Sequence, residues 1–349
     1  MELGRLAFGA GLALCYAGRV SSLLVGLLGA LVATNQPAAV SNLVLQTSGV
    51  SVAVPDKNDP VEQEFQKLMD LDDDAQAEVD EWIKQNDEFA AGGAAMPTQL
   101  LRDRILKRLD AVGKAYEEFL RRHPDHVRAR VAYASFLCDV KGEDQAREQL
   151  EKALELDMNN AAIYNNLANI YGHDGSVKRS FEYYAKAIEL NPREPVYYHN
   201  FGTTVFLFRT DAKEYYGIDE AAVFAKAFQL YSNAMRLDPH NFPLASDVAQ
   251  SFYGVRPLPT DEALKAWTNA LSIAKDEIER EGVYVHFARI NTLAGRWATA
   301  QGHLNAITND VYADLKKRLV RNLAERQSGT NAAPPEPIEI KLPGKLPAN

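Results

Sequence analysis

Cysteine is nearly absent from this chain. Cys15 and Cys138 are the two present in 349 residues, too few for a disulfide framework or a multi-cysteine metal site. The seven histidines are scattered, and no H-E-x-x-H pair occurs. Also missing are a G-x-x-x-x-G-K-[ST] phosphate loop, a strand-linked G-x-G-x-x-G and a G-x-S-x-G elbow, so the common sequence grounds for nucleotide or hydrolase chemistry are absent. Positive charge is in short supply too. A net charge of -9 speaks against a nucleic-acid binder of the usual basic kind, because phosphate binding rests on Lys and Arg. No enzyme activity, cofactor or metal is expected.

Two weak metal signals have simpler explanations. Asp70, Asp72, Asp74 and Glu81 match four ligand places of a calcium loop, but Ala75 stands where the loop needs glycine for its sharp turn. His123 and His126 flank Pro124, at a helix end where the dipole alone favours imidazole.

What is present is ordinary globular composition, 46% hydrophobic and 24% charged, with a length that allows roughly two domains. The charge is unevenly placed. Residues 56–88 hold 13 acidic side chains and three lysines, a net of -10 that exceeds the charge of the whole chain. Residues 98–130 hold nine Lys or Arg against five Asp or Glu, a net of +4. The acidic segment, with Trp82 and Ile83 as apolar help, is therefore a candidate to fold back on the basic one.

Residues 6–33 are apolar or small except for Arg19. They read either as a signal peptide, with an apolar stretch over residues 20–33, or as an uncleaved anchor. Either reading implies an exported protein, periplasmic or anchored in a bacterial cell membrane, with membrane association through residues 6–33.

An internal repeat dominates the remainder. Residues 161–194 carry Tyr164, Leu167, Ala168 and Tyr171, then Gly175, then Ser180, Tyr184, Ala187 and Pro192. Residues 127–160 repeat the pattern with Tyr133, Ala134, Leu137, Ala146, Leu150 and Ala153. Small residues fall where two paired helices would cross closely, large ones fill between, and Pro192 ends the second helix. These spacings resemble the tetratricopeptide repeat, a helix-turn-helix unit. The resemblance implies an all-α fold, a right-handed superhelix of stacked helix-turn-helix repeats.

The expected organisation is a signal peptide or anchor over 1–39, then an acidic linker with a short helix over 40–97. The repeat array covers 98–325: a leading helix at 98–126, repeats at 127–160, 161–194, 195–241 and 242–280, a degenerate copy at 281–309, and a capping helix at 310–325. The third repeat holds an insertion around 208–220. A Pro-rich tail covers 326–349 and has no helical period.

Repeats of this family commonly bind peptides along a concave face lined by each first helix. The resemblance therefore implies a scaffold for a protein or peptide partner, or alternatively an assembly subunit regulated by its acidic segment. The same offset in successive first helices gives Asn166, Asn200 and Asp247, and neighbouring offsets give Asn165, Asn169, His199 and Thr203. Amide side chains both donate to and accept from a peptide backbone. Val131, Val196 and Asp247 stand where the family's carboxylate clamp has basic residues, so recognition of an acidic chain terminus is not expected.

Overall fold

The structure is a computed structural model that describes residues 56, 58–91, 95–140 and 142–329. The signal or anchor reading of residues 6–33 and the Pro-rich tail from residue 330 lie outside the described residues. Among the described residues there are fourteen α-helices and no strand. The chain divides into two compact units, Met1–Arg193 and Glu194–Asn349. In each, consecutive helices pair as antiparallel hairpins, the helix-turn-helix stack expected of an α-solenoid.

Unit 1 has three hairpins: α1 (Pro60–Ala91) with α2 (Thr98–Arg122), α3 (Val127–Val140) with α4 (Glu143–Leu156), and α5 (Ala161–His173) with α6 (Val177–Leu190). The small residues the pattern singles out, Ala134, Ala146, Ala168 and Ser180, are all buried. Ser180 cannot leave its hydroxyl unpaired there, and its Oγ donates to the Ala168 carbonyl at 2.7 Å. Gly142 and Gly175 turn the chain between paired helices with φ of +103° and +88°, a backbone that favours glycine.

The acidic segment departs from the expectation of a linker with a short helix. It is the 32-residue helix α1, because Phe65, Leu68, Asp72 and Ala75 repeat every three or four residues and are all buried in the core of unit 1. The leading helix is accordingly the second member of a hairpin. Asp72 is held by the Tyr116 hydroxyl, which donates to it at 2.7 Å. Burial and this carboxylate push the Tyr116 phenol far up.

The expected fold-back on the basic stretch is present. Arg108 pairs with Glu78 at 2.9 Å, Arg122 with Glu64, and Arg128 with Glu62 at 2.6 Å. The Arg104 guanidinium lies 3.7 Å over the Trp82 ring. Ala129 N–H donates to His126 Nδ1 at 3.0 Å, leaving Nε2 to face Glu62 at 3.4 Å. Exposed ion pairs contribute little, so the buried apolar stripe is what fastens α1. That stripe ends at Ala75: no residue from 76 to 90 is buried, and Ile83 is 41% exposed.

Unit 2 contains α7 (Pro195–Leu207), α8 (Arg209–Tyr216), α9 (Glu220–Leu237), α10 (Phe242–Ser251), α11 (Thr260–Ile273), α12 (Glu277–Leu293), α13 (Trp297–Ala306) and α14 (Ala313–Ser328). The insertion is the short helix α8, seated by the buried Ala212 and ended by Gly217 in the left-handed region, φ +63°. Asp219, Asn241 and Asp276 cap α9, α10 and α12 by accepting backbone N–H bonds of 2.8–2.9 Å. In hairpin α7/α9 the helices approach closely at Gly202 and Ala227, and Ala249 with Ala263 in α10/α11 and Ala288 with Ala300 in α12/α13 are small residues with no exposed surface.

The helix α14 closes the unit, burying Leu319 and Leu323 in a cluster with Val285, Ala288 and Leu304. The link before it is gripped by the buried Glu281 carboxylate, which accepts from Thr308 N at 2.9 Å, Thr308 Oγ1 at 2.8 Å and Asn309 N at 2.7 Å. Burial alone would raise the Glu281 pKa, but these bonds outweigh it and hold the group below the usual carboxylate range.

Two predictions follow from this packing. Phe65→Ala lowers the unfolding free energy of unit 1 by about 3 kcal/mol, whereas Ile83→Ala changes it by less than about 0.5 kcal/mol; chemical denaturation followed by circular dichroism measures both. A Cβ at Gly202 would lie 2.9 Å from the Tyr231 ring and 3.2 Å from the Ala227 carbonyl, so Gly202→Ala costs about 1–3 kcal/mol by overpacking, read in the same assay.

Candidate functional site

The residues expected to grip a partner fall into two groups, one in each unit. In unit 1, α5 carries Asn165, Asn166 and Asn169. Asn165 is 1% exposed and donates to Asn166 Oδ1 at 3.1 Å. Asn169 is buried as well, and its Oδ1 accepts the Tyr184 hydroxyl. Asn166 is half-buried. The cavity beside Asn166 and Asn169 measures about 20 Å³, room for about one water and too little for a side chain. Asn165 and Asn169 are thus held inside unit 1 by their own hydrogen bonds.

In unit 2, Asn200, expected on the partner-binding face, is 2% exposed. His199, Thr203 and Asp247, in contrast, come together. Residues His199 and Thr203 are one turn apart on α7, and Asp247 reaches toward them from α10. His199 Nε2 lies 3.5 Å from Asp247 Oδ2. The Tyr231 hydroxyl, from α9, donates to Thr203 Oγ1 at 3.2 Å. Ser251 Oγ, at the end of α10, donates to the Asp247 carbonyl at 3.0 Å and lies 3.4 Å from the Tyr231 oxygen. The His199 and Tyr231 ring centroids are 5.9 Å apart.

The result is a connected polar patch: an imidazole, an exposed carboxylate and two hydroxyls from the adjacent first helices α7 and α10, joined by the Tyr231 hydroxyl from α9. Tyr231 and Ser251 have no place in the sequence reading. The signal for Tyr231 was available, because Tyr184 and Tyr231 occupy the same place in their second helices. Each aims its hydroxyl at the same place in its first helix, Asn169 and Thr203 respectively. Ser251 is found only through the contact between neighbouring hairpins.

Burial pushes His199 down to about 4 and raises the Asp247 carboxyl above its ordinary value. His286 of α12 is also lowered to about 4, first by burial and then by the Arg289 charge. Both imidazoles are neutral near pH 7, so the patch offers hydrogen bonds and one carboxylate rather than a cation. Hydroxyl, imidazole and carboxylate groups so arranged suit the backbone and polar side chains of a polypeptide.

The sign of the linkage can be tested directly. The folded values lie below the ordinary imidazole value of 6.5, so the unfolded chain takes up these protons first. Stability from the neutral rings is fully present above about pH 6.5 and falls as the pH drops toward about 4. In an NMR titration the His199 and His286 ring resonances should be flat near pH 6.5 and move near pH 4.

Comparison with known proteins agrees with the fold. A family model described as a tetratricopeptide repeat matches residues 150–180. The chain is 32% identical over 146 residues to the photosystem I assembly protein Ycf3 of Rippkaea orientalis, covering 41% of this chain and 80% of that one. A Synechococcus protein of the same name is 29% identical over 128 residues, 34% of this chain and 74% of that one. Among solved structures, the Pseudomonas aeruginosa pilF protein aligns with a TM-score of 0.46 at 15% identity, covering 73% of this chain and 98% of that one. YrrB, described as a TPR protein with an unusual peptide-binding site, aligns at 0.43 and 14% identity over 62% of this chain and 99% of its own. On its repeated hairpins and these sequence relatives, the chain belongs to the tetratricopeptide-repeat family.

Proposed function

We propose that this protein is a non-enzymatic interaction module that holds a polypeptide partner on the first-helix face of unit 2. Proteins of this family mediate protein–protein interactions. The observation that carries the specific reading is the convergence of His199, Thr203 and Asp247, from two adjacent first helices, with Tyr231 and Ser251 into one polar patch. Two of its relatives are photosystem I assembly proteins, which supports a role in holding a partner while a larger complex is put together. An envelope setting rests on the apolar residues 6–33 alone, and mass spectrometry of the native N-terminal peptide tests it.

Regulation by release of the acidic segment fits less well. Freeing α1 would expose Phe65 and Leu68, both buried in the core of unit 1, so α1 acts as a permanent member of its hairpin.

The test is affinity capture of the full chain from its native cells, with partners identified by mass spectrometry. The double variant His199→Ala, Asp247→Ala should bind the captured partner at least about tenfold more weakly, measured below its melting transition and with its helical circular dichroism retained. Unaltered affinity would remove the unit 2 face from the reading.

A further inference from the structure

Beyond the polar patch, unit 2 carries a second cluster that the reading above leaves unused. Tyr253 stands in the single 3-10 turn Phe252–Gly254 that follows α10. Its hydroxyl meets His286 Nδ1 at 3.1 Å. The His286 ring lies flat on Trp267 of α11, with centroids 3.8 Å apart and planes 9° from parallel. Three rings from three consecutive helical segments are thereby locked as one wall, which costs a ligand no ordering when it arrives.

Two guanidinium groups are mounted on this wall. Arg289 of α12 lies with its Cζ 4.5 Å over the Tyr253 ring. Arg256, in the link to α11, donates from Nη1 to the Tyr253 carbonyl at 2.6 Å and to the Val255 carbonyl at 3.3 Å. Both side chains belong to exposed residues. Elsewhere in the unit, Arg296 pairs with Asp261 and Arg209 with Glu220. Among the described residues, no carboxylate lies within 4.0 Å of Arg256 or Arg289. Each guanidinium has five N–H donors in a planar fork, so most of this donor capacity is unspent. Stacking on an aromatic ring and bonding to backbone carbonyls fix the two cations in place without neutralising them.

A fixed, unneutralised guanidinium suits a planar, bidentate anion far better than a free surface lysine does. We infer that Arg256 and Arg289, flanking Tyr253, form a subsite for carboxylate side chains, so that the partner segment bound to unit 2 contains Asp or Glu. This rests on the interaction reading above and adds the chemistry of the partner. The chemistry differs from recognition of a chain terminus, because the cations belong to the link after α10 and to α12. They do not occupy the clamp positions at Val131, Val196 and Asp247.

The test uses a random linear peptide library displayed on phage and panned against the full chain. The peptides recovered are then measured by fluorescence anisotropy. The expected result is enrichment of Asp and Glu. Replacing those residues by Asn and Gln should weaken binding at least about tenfold, as expected for loss of charge-assisted hydrogen bonds. The variant Arg256→Gln, Arg289→Gln should weaken it similarly while leaving the melting temperature unchanged. The single variant Arg289→Gln leaves the Arg256 backbone bonds intact and should still show a partial loss. Recovered peptides without acidic enrichment, whose binding is lost in His199→Ala, Asp247→Ala, would overturn the subsite and leave the interaction reading standing. Recovery of no peptide at all would count against both.

Discussion

Each hairpin of this protein depends on how closely its two helices approach. Ala134 with Ala146, Ala168 with Ser180, Gly202 with Ala227, Ala249 with Ala263, and Ala288 with Ala300 are all small and buried. A larger residue would push the axes apart, and the large side chains around the crossing would lose their contacts. The same closeness governs function. Because α7 and α9 nearly touch at Gly202, the Tyr231 ring lies against the α7 backbone and its hydroxyl emerges beside Thr203. The polar patch is therefore a product of the crossing, with a second-helix side chain threading through to the first-helix face.

This constraint explains what the sequence disclosed about the fold. Small residues at fixed spacing, with tyrosine and leucine between them, can be read without coordinates because the crossing recurs with the repeat. The first hairpin obeys the same rule, with Ala75 and Gly113 both buried, but its signal is masked. Phe65, Leu68 and Ala75 are embedded in a segment, residues 56–88, with 13 acidic side chains, and the charge density suggests a solvated linker. Only the spacing of Phe65, Leu68, Asp72 and Ala75 betrays the helix, and Asp72 hides even that, since its burial depends on Tyr116, 44 residues later.

The site was legible in part for a related reason. Equivalent offsets on successive first helices identified His199, Thr203 and Asp247, because facing positions repeat with the unit. The same reasoning selected Asn165, Asn169 and Asn200, which the structure buries. Offset alone does not say whether a polar side chain turns outward or is claimed by a tyrosine of its own hairpin. Arg256 and Arg289 were invisible for the opposite reason. One lies in a link that follows no repeat pattern, and what they share is Tyr253, whose ring carries Arg289 and whose backbone carbonyl accepts from Arg256.

The division of α1 into a buried first half and an exposed second half has a practical corollary. Beyond Ala75, the α1/α2 hairpin contributes nothing to the buried core of unit 1, yet both helices continue for several turns. That projecting stretch is a natural attachment point, where a fluorophore, an affinity handle or a grafted epitope could be carried by rigid helix at a distance from the residues that hold the protein folded.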